Sequence, residues 1–472
     1  MVHDMNTFIK KLLGFSIGPV IGAFISFITI PITTYFISPI EFGKASMFIL
    51  FQIIFGTFLY LGIDQAYTRE YHSGENKINL FQNAISIPLF LSIIVLLAIL
   101  ICPQITSKIL FDSPNYVVPS IFFGIMIIFM VLERFILLSI RMKENALEFS
   151  VLNIIVKLTI LIFTLIFIFY VRRDFLAIVY STVFGQILGD LYLIVRYKKL
   201  FYLRYFSINK KLIKRMVLFG LPILVATSLS SLLNSLDRLS LRMWSDFYQI
   251  GIFTATLKIA AVLSIVQTSF TSFWVPTAYR WYAEEKNIAY YKVVSDSILL
   301  VMSVLAVGIL IFKDLIVSIL SSGYADSRYL IGFLCLQPII YTVSETTCLG
   351  IVFSRKSYLS IFVGVIAIIP NTVLNILLVP KYGAIGAAIA TSVSYVFFFA
   401  ARTYFSNKSG MKFAVSKHYM VLLVLLVSAF INLVQTNMLL INLLILLVVL
   451  AIQYTSVNQI WRTYKGKRLM IK

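Results

Sequence analysis

Cysteine, histidine and acidic residues are scarce in this sequence of 472 residues. It has three cysteines and three histidines and no C-x-x-C pair, so it predicts neither a disulfide framework nor a metal site. Neither a phosphate-binding loop nor a glycine-rich dinucleotide motif occurs, and no nucleophile stands at a useful spacing from a base. These absences exclude an ATP-driven pump within the chain, and they predict that the protein is not an enzyme and needs no cofactor.

Charge is also scarce, because only 12% of the residues are charged, against about 25% in soluble domains. The chain is 60% hydrophobic and its mean hydropathy is +0.95. A span needs about 20 apolar residues, and the sequence predicts an all-α polytopic membrane protein with fourteen spans. The predicted spans are residues 12–37, 42–63, 84–103, 116–140, 151–171, 176–195, 216–236, 249–275, 296–312, 330–353, 359–379, 384–401, 420–436 and 438–455.

The net charge of +21 follows membrane topology and does not indicate a nucleic-acid partner. With both termini inside, the inner connections hold 28 Lys and Arg residues, the outer ones nine and the spans three. We therefore predict cytoplasmic termini, with the first helix serving as an uncleaved signal anchor. The basic connection 196–215 is predicted to form an amphipathic helix lying on anionic lipid.

Three pairs of similar segments indicate an internal duplication, with offsets of 203 to 212 residues. The pairs are Ser38–Gly43 with Ser245–Gly251, Ala66–Tyr71 with Ala278–Tyr282, and Ser16–Pro19 with Phe219–Pro222. The sequence thus predicts two six-helix bundles, residues 1–205 and 206–418, followed by two extra helices and a basic tail in residues 419–472. Spans 1 and 7 run in the same direction, which is typical of parallel repeats that rock around a shared site.

Polar side chains recur at helical spacing within several spans, where they are expected to face protein or water. They predict a hydrated cavity between the two bundles, and the mostly positive charges near it favour an anionic cargo. The candidate binding residues are Lys258, Lys157, Arg238, Arg242, Arg134 and Asn234.

Lys258 is the strongest of the charged candidates. For each of the others, the sequence leaves open a structural role instead of ligand binding. Arg238 and Arg242 could instead snorkel to the outer headgroups, and Lys157 could snorkel towards the inner surface. Arg134 could pair with Glu133 or with a neighbouring helix.

Three carboxylates are predicted to lie outside the binding site. Asp64 and Asp190 stand near predicted helix ends, where solvation is the expected state. Glu345 could be a proton-coupling group, but a capped or paired carboxylate is the favoured expectation. No residue clearly marks an ion-coupling site.

One segment, Asn371–Thr391 (NTVLNILLVPKYGAIGAAIAT), is more specific than the rest. Locally it predicts a tight turn at Pro380–Gly383, followed by small residues suited to close helix contact. It closely resembles the signature of polysaccharide flippases in the multidrug, oligosaccharidyl-lipid and polysaccharide exporter superfamily. Phe219–Pro222, Leu236–Arg238 and Ile250–Ala260 are similar to the same family.

The resemblance implies two pseudo-symmetric six-helix bundles around a central cavity, with two extra helices. It also implies transfer of undecaprenyl-diphosphate-linked oligosaccharide from the inner to the outer leaflet, for O-antigen or capsule assembly. Membrane lipid, a polysaccharide polymerase and a chain-length regulator are the implied partners. A cationic cavity would hold the diphosphate by point charge from lysine and by forked hydrogen bonds from arginine.

Two other functions stay open from the sequence. A drug or metabolite exporter of the same superfamily would usually carry a cation, for which basic residues are unsuited. A membrane polysaccharide polymerase would need a large outer loop or an acidic motif, and the longest predicted outer connection is only 313–329.

Overall fold

The computed structural model describes residues 2–71, 76–202, 207–354, 356, 358–434 and 438–458, with the backbone alone for residues 2–17, 19, 226 and 434. This part of the chain is helical and contains no strand. The α-helices are α1 (Val2–Phe36), α2 (Pro39–Tyr60), α3 (Ile63–Glu70), α4 (Lys77–Ile101), α5 (Pro103–Phe111), α6 (Val117–Met142), α7 (Ala146–Ile166), α8 (Phe175–Arg196), α9 (Lys210–Trp244), α10 (Phe247–Ala260), α11 (Val262–Ala283), α12 (Ile288–Ile311), α13 (Lys313–Val317), α14 (Ser327–Thr347), α15 (Leu349–Phe353), α16 (Leu359–Lys408), α17 (Ser416–Val434) and α18 (Leu439–Ile452).

Each of the fourteen predicted spans lies on one or two of these helices. Within the described residues, ten helical segments are long and apolar enough to cross a membrane, and Val20–Phe36 and Leu439–Ile452 are shorter apolar helices. One of the ten, α16, contains two predicted spans, separated at Gly383, whose φ of 53° and ψ of −128° interrupt the helix. The predicted turn at this position is thus a kink between two helices.

The remaining predicted span falls on α14, in which most residues are buried. It packs against α10, α11, α12, α16 and α17. Its second half is polar, with buried Thr342, Ser344 and Glu345 followed by two more threonines. Because protein surrounds this helix, its polar groups find protein partners and avoid lipid.

The chain forms two compact units, residues 1–235 and 236–472. In the first unit, α7 packs along α1 and α8, and α6 packs along α4 and α8. In the second unit, α14 is the central helix. The six-helix boundaries expected from the sequence remain a prediction.

The paired segments of the predicted duplication have the same local structure. Ser38 caps α2, and the side chain of Glu41 three residues later accepts a hydrogen bond from Phe175 N, at the start of α8, at 3.0 Å. In the second unit Asp246 caps α10, and Gln249 Oε1 accepts from Ala384 N at 2.9 Å, where the second half of α16 begins. The same device in both copies supports the duplication.

The last two helices are attached to α12 by buried polar groups. Asn432 and Asn442 exchange side-chain hydrogen bonds of 2.8 and 3.2 Å, and Asn442 also donates to Leu310 O at 3.1 Å. Near the other end of the pair, Gln453 donates to Ser303 at 2.8 Å. These contacts make α17 and α18 part of the second unit. The predicted basic tail from residue 459 lies outside the described residues.

The basic connection 196–215 differs from the amphipathic helix expected for it. Described residues form a short 3₁₀ turn at Lys198–Phe201, and α9 already begins at Lys210. Leu200 is buried, and Leu200 O and Tyr202 O accept hydrogen bonds from the Gln82 side chain at 3.0 Å. The first part of the connection is therefore held against α4. Residues 203–206 lie outside the described part.

Candidate functional site

A polar cavity of about 330 Å³ lies within the first unit, between α2, α3, α6 and α9. Seven of its eleven lining residues carry hydrogen-bonding side chains. These seven are Gln52, Thr57, Tyr60, Asp64, Gln65, Arg134 and Thr227. Such a cavity is at the small end of the range of ligand pockets, about 300–1,000 Å³.

The turn between α2 and α3 places Asp64 in this cavity. Leu61 (φ 49°) and Gly62 (φ 68°) both take left-handed conformations, which interrupt the helix between α2 and α3. Gly62 lies so close to Gly220 of α9 that a Cβ atom on it would be 2.3 Å from Gly220 O. Only glycine fits both requirements at Gly62. The glycine of the Phe219–Pro222 motif therefore has a packing role: it lets α9 approach the turn.

Asp64 and Arg134 form an ion pair at the wall of the cavity. Asp64 Oδ2 accepts hydrogen bonds from Arg134 Nη2 at 2.5 Å, from Arg134 Nε at 3.2 Å and from Gln65 Nε2 at 3.1 Å. The Arg134 guanidinium also lies 5.6 Å from the centre of the Tyr60 ring. The Asp64 side chain is 8% exposed and that of Arg134 is 41% exposed. Of the two structural alternatives for Arg134, the structure shows pairing with a neighbouring helix, because Asp64 lies on α3.

A second charged group surrounds Lys157 on α7. Lys157 is exposed and interacts electrostatically with Glu133 of α6 and Asp190 of α8. Gln186 joins the two carboxylates, because its Nε2 donates to Glu133 Oε2 at 2.8 Å and to both Asp190 oxygens at 3.0 and 3.1 Å.

The expectation that Asp64 and Asp190 are solvated is wrong, because their relative exposures are 5% and 0%. Both lie near helix ends, yet those ends are packed within the unit, and each carboxylate has a protein donor instead of water. Arg134 and Lys157 therefore face three carboxylates. This group of side chains carries no positive excess when every member is ionised.

In the second unit, the buried carboxylate of Asp237 is surrounded by residues of the Asn371–Thr391 segment. Asp237 Oδ1 accepts from Asn375 Nδ2 at 2.9 Å and from Asn371 Nδ2 at 3.2 Å, and Asp237 Oδ2 accepts from Thr391 at 2.6 Å. Asn371, Asn375 and Thr391 belong to the segment that carries the family resemblance, and the sequence alone predicts no role for them. Part of their signal is visible in the sequence, since Asn371 and Asn375 are four residues apart on one helix face.

The other candidates of the second unit have different environments. Arg238 is 9% exposed, next to Asp237, and Arg242 stacks on the Phe247 ring with its guanidinium 4.7 Å from the ring centre. Lys258 is half-buried in the last turn of α10.

Two remaining expectations concern single residues. Asn234, the sixth candidate, is exposed on the part of α9 that belongs to the first unit. Glu345 is paired, as expected: Arg402 Nη1 donates to Glu345 Oε1 at 2.7 Å. Within the described ranges, no group of three or more His, Cys, Asp or Glu residues is placed to hold a metal ion.

Comparisons with known proteins agree with the membrane fold. A solved lipid II flippase, MurJ, in an inward closed conformation, has a TM-score of 0.69 at 17% identity, covering 95% of this chain and 99% of that one. An inward-facing multidrug resistance MATE family transporter of the MOP superfamily has a TM-score of 0.60 at 18% identity, covering 84% and 96%. At these identities the likeness concerns the fold alone. It confirms the predicted all-α membrane architecture, with which about fourteen membrane-spanning segments are consistent.

Sequence comparisons identify the family. The probable low-salt glycan biosynthesis flippase Agl15 of Haloferax volcanii is 25% identical over 165 residues, which are 32% of this chain and 35% of that protein. The match thus spans about a third of the length of this curated relative. Residues 8–281 match the model of the family described as polysaccharide biosynthesis protein. Because that match covers more than half of the chain, the protein belongs to the polysaccharide biosynthesis protein family and has a fold of the MOP superfamily.

Proposed function

We propose that the protein is a flippase for lipid-linked oligosaccharides. Its cargo would be undecaprenyl-diphosphate-linked repeat units, moved from the inner to the outer leaflet by alternating access. The observation that carries this proposal is the family match over residues 8–281 in a chain with the fold of a lipid II flippase. The partial likeness to a glycan biosynthesis flippase supports it further.

The cations of the second unit support binding of the diphosphate. Arg238, Arg242 and Lys258 are all cationic, and positive charge stabilises an anion in a medium of low dielectric constant. Lysine would bind a phosphate as a point charge, and arginine would bind it by a fork of two hydrogen bonds. In the first unit, the proposed binding residues Arg134 and Lys157 face carboxylates, so their part in binding would be polar contact. Asn234 would contribute an amide.

The product of the pathway is proposed from the same resemblance. The repeat units would feed an O-antigen or capsular polysaccharide, with a polymerase and a chain-length regulator as partners. The protein would then reside in the bacterial inner membrane with both termini in the cytoplasm. The excess of Lys and Arg in the predicted inner connections supports this orientation.

A multidrug or metabolite exporter is the second candidate, favoured by the likeness to MATE transporters. Its usual cationic cargo would be repelled by the proposed binding residues Arg238, Arg242 and Lys258, which argues against it. A membrane polymerase has less support. Its large outer loop is lacking, since described residues between α12 and α14 form only α13 and the short 3₁₀ turn Ser322–Tyr324.

Surface polysaccharide in a flippase-null host tests the proposal. The wild-type chain is expected to restore polymer at the cell surface and to remove the lipid-linked intermediates that accumulate without it. Lys258→Ala, at matched membrane abundance, is expected to restore at most about a tenth of the polymer, since it removes a charge from the anion site. Lys286→Ala is the control, because Lys286 is exposed in the connection after α11 and pairs only loosely with Glu284 at 3.7 Å.

Two results would count against the proposal at different levels. Normal polymer with Lys258→Ala would remove that residue from the mechanism. Failure of the wild-type chain to lower the lipid-linked intermediates would refute the flippase itself.

A further inference from the structure

The cavity of the first unit has no net charge of its own. Its one cation, Arg134, is joined to its one carboxylate, Asp64, at 2.5 Å. A diphosphate placed there would meet the Asp64 carboxylate at close range, and like charges in a site of low dielectric constant repel strongly. The cavity therefore disfavours the most charged part of the proposed cargo.

The same side chains retain capacity for hydrogen bonds to an uncharged ligand. All three donors to Asp64 use Oδ2, so Oδ1 is not an acceptor in any of these bonds, and Arg134 donates to Asp64 through Nε and Nη2, not Nη1. The ion pair thus keeps one acceptor oxygen, Asp64 Oδ1, and one donor nitrogen, Arg134 Nη1, on the guanidinium edge that does not bind Asp64. A ligand with several hydroxyl groups, each able to donate and to accept, can use both atoms.

The rest of the lining is suited to the same chemistry. Thr57, Tyr60 and Thr227 supply hydroxyl groups, and Gln52 and Gln65 supply carboxamides. Hydroxyl groups and carboxamides both donate and accept hydrogen bonds, as polyols require. The volume of about 330 Å³ suits one small cyclic group better than a whole oligosaccharide.

We infer that this cavity is a subsite for one uncharged sugar ring of the cargo, separate from the place where the diphosphate binds. The inference rests on the proposed function, because the sugar would arrive attached to the lipid diphosphate. Asp64 accepts a hydrogen bond from one hydroxyl of the ring, and Arg134 donates to another. Thr227 and Thr57 contact the ring from α9 and α2. Recognition of this kind gives selectivity for the sugar, since a ligand that lacks the hydroxyls forms fewer hydrogen bonds with the lining.

The test compares two probes on the purified full-length chain in detergent. The first is undecaprenyl diphosphate without sugar, and the second is the same lipid carrying one N-acetylglucosamine. The wild type is expected to bind the sugar-bearing probe at least tenfold more tightly. Asp64→Asn and Thr227→Val are each expected to reduce that preference by about fivefold to tenfold, with less than a twofold change in the Kd of the sugar-free probe.

Thr277→Val is the matched control. Thr227 is exposed and Thr277 is half-buried, and both are helical threonines whose hydroxyls donate to the carbonyl four residues earlier, at 3.0 and 2.9 Å. Thr277 lies on α11 and is not among the described residues that line the cavity. It is expected to leave both Kd values within twofold of the wild type. If Asp64→Asn fails to fold, Thr227→Val alone decides, because it replaces an exposed hydroxyl by a methyl group of similar size.

Three outcomes would overturn the inference. An unchanged sugar preference in both variants would show that the cavity takes no sugar. Weaker binding of the sugar-free probe by Arg134→Gln, with the sugar preference intact, would show an anion site. No binding of either probe by the wild type would refute the proposed function and the subsite with it, whereas binding of both probes with equal Kd would refute the subsite alone.

Discussion

Alanine at Gly220 is expected to destabilise the first unit by forcing α9 away from the turn between α2 and α3. An ideal Cβ atom at Gly220 would lie 2.5 Å from Leu61 O and 2.9 Å from the carbonyl carbon of Gly62. Both are backbone atoms, so no side chain can rotate to relieve the overlap. Overpacking of this kind costs about 1–3 kcal/mol, and we expect the upper end.

Part of that cost is offset by helix propensity. Alanine is favoured over glycine by about 1 kcal/mol in a helix interior, and Gly220 lies within α9. The expected net loss of stability is therefore about 2 kcal/mol. Because the displaced turn carries Asp64, the same variant should also lower surface polysaccharide in the complementation assay.

The assay is the thermal unfolding of the purified full-length chain in detergent. Gly308→Ala is the matched control, since Gly308 lies inside α12 with no atom within 4 Å of the added Cβ. Its midpoint is expected to equal or exceed that of the wild type, while the midpoint of Gly220→Ala falls by several degrees. Equal midpoints for the two variants would refute the close approach of α9 to the turn.

Asp237→Ala removes the acceptor of three buried hydrogen bonds, each worth about 0.6–1.7 kcal/mol in a membrane. We expect a loss of stability of about 2–5 kcal/mol in thermal unfolding, and a midpoint equal to that of the wild type would rule out these hydrogen bonds. Asn442→Leu removes both hydrogen bonds between Asn432 and Asn442 and is expected to increase proteolysis between α17 and α18. Resistance to proteolysis equal to that of the wild type would mean that these bonds do not hold α17 against α18. Reporters fused after Arg69 and after Asp326 should report opposite sides of the membrane, and a shared side would contradict the fourteen-span topology.

The spans were predictable from the sequence because hydropathy is a local property. A run of about 20 apolar residues indicates a crossing wherever it packs. Even α14, whose second half is polar, was predicted from the apolar residues of its first half. The same local reasoning located the break at Gly383, where proline and glycine stand close together.

The partners of the charged residues were not predictable in the same way. Arg134 and Asp64 are 70 residues apart in the sequence, and nothing in the pattern around either indicates the other. Position near a predicted helix end does not indicate solvation for Asp64 and Asp190, because both carboxylates are buried. Charges in membrane segments usually pair with one another, and this rule predicts partners for them among the charged residues of the first six spans.

The hydrogen bonds around Asp237 were partly predictable from the sequence. Its asparagines stand four residues apart on one helix face, a spacing visible in the sequence. Their contact with Asp237 depends on the tertiary packing of α9 against α16, which periodicity does not predict. The three hydrogen bonds to Asp237 give a structural role to the segment that sequence resemblance identifies.

Translocation in reconstituted liposomes tests the central claim most directly. The purified chain is placed in vesicles that contain an undecaprenyl-diphosphate-linked oligosaccharide labelled on its sugar, and an impermeant enzyme that cleaves the sugar is added outside. We predict that the fraction of label cleaved rises from about one half, the outer leaflet alone, towards completion within minutes, and that Lys258→Ala slows this rise at least tenfold. A plateau at one half, equal to that of protein-free vesicles, would contradict the claim that this protein is a flippase.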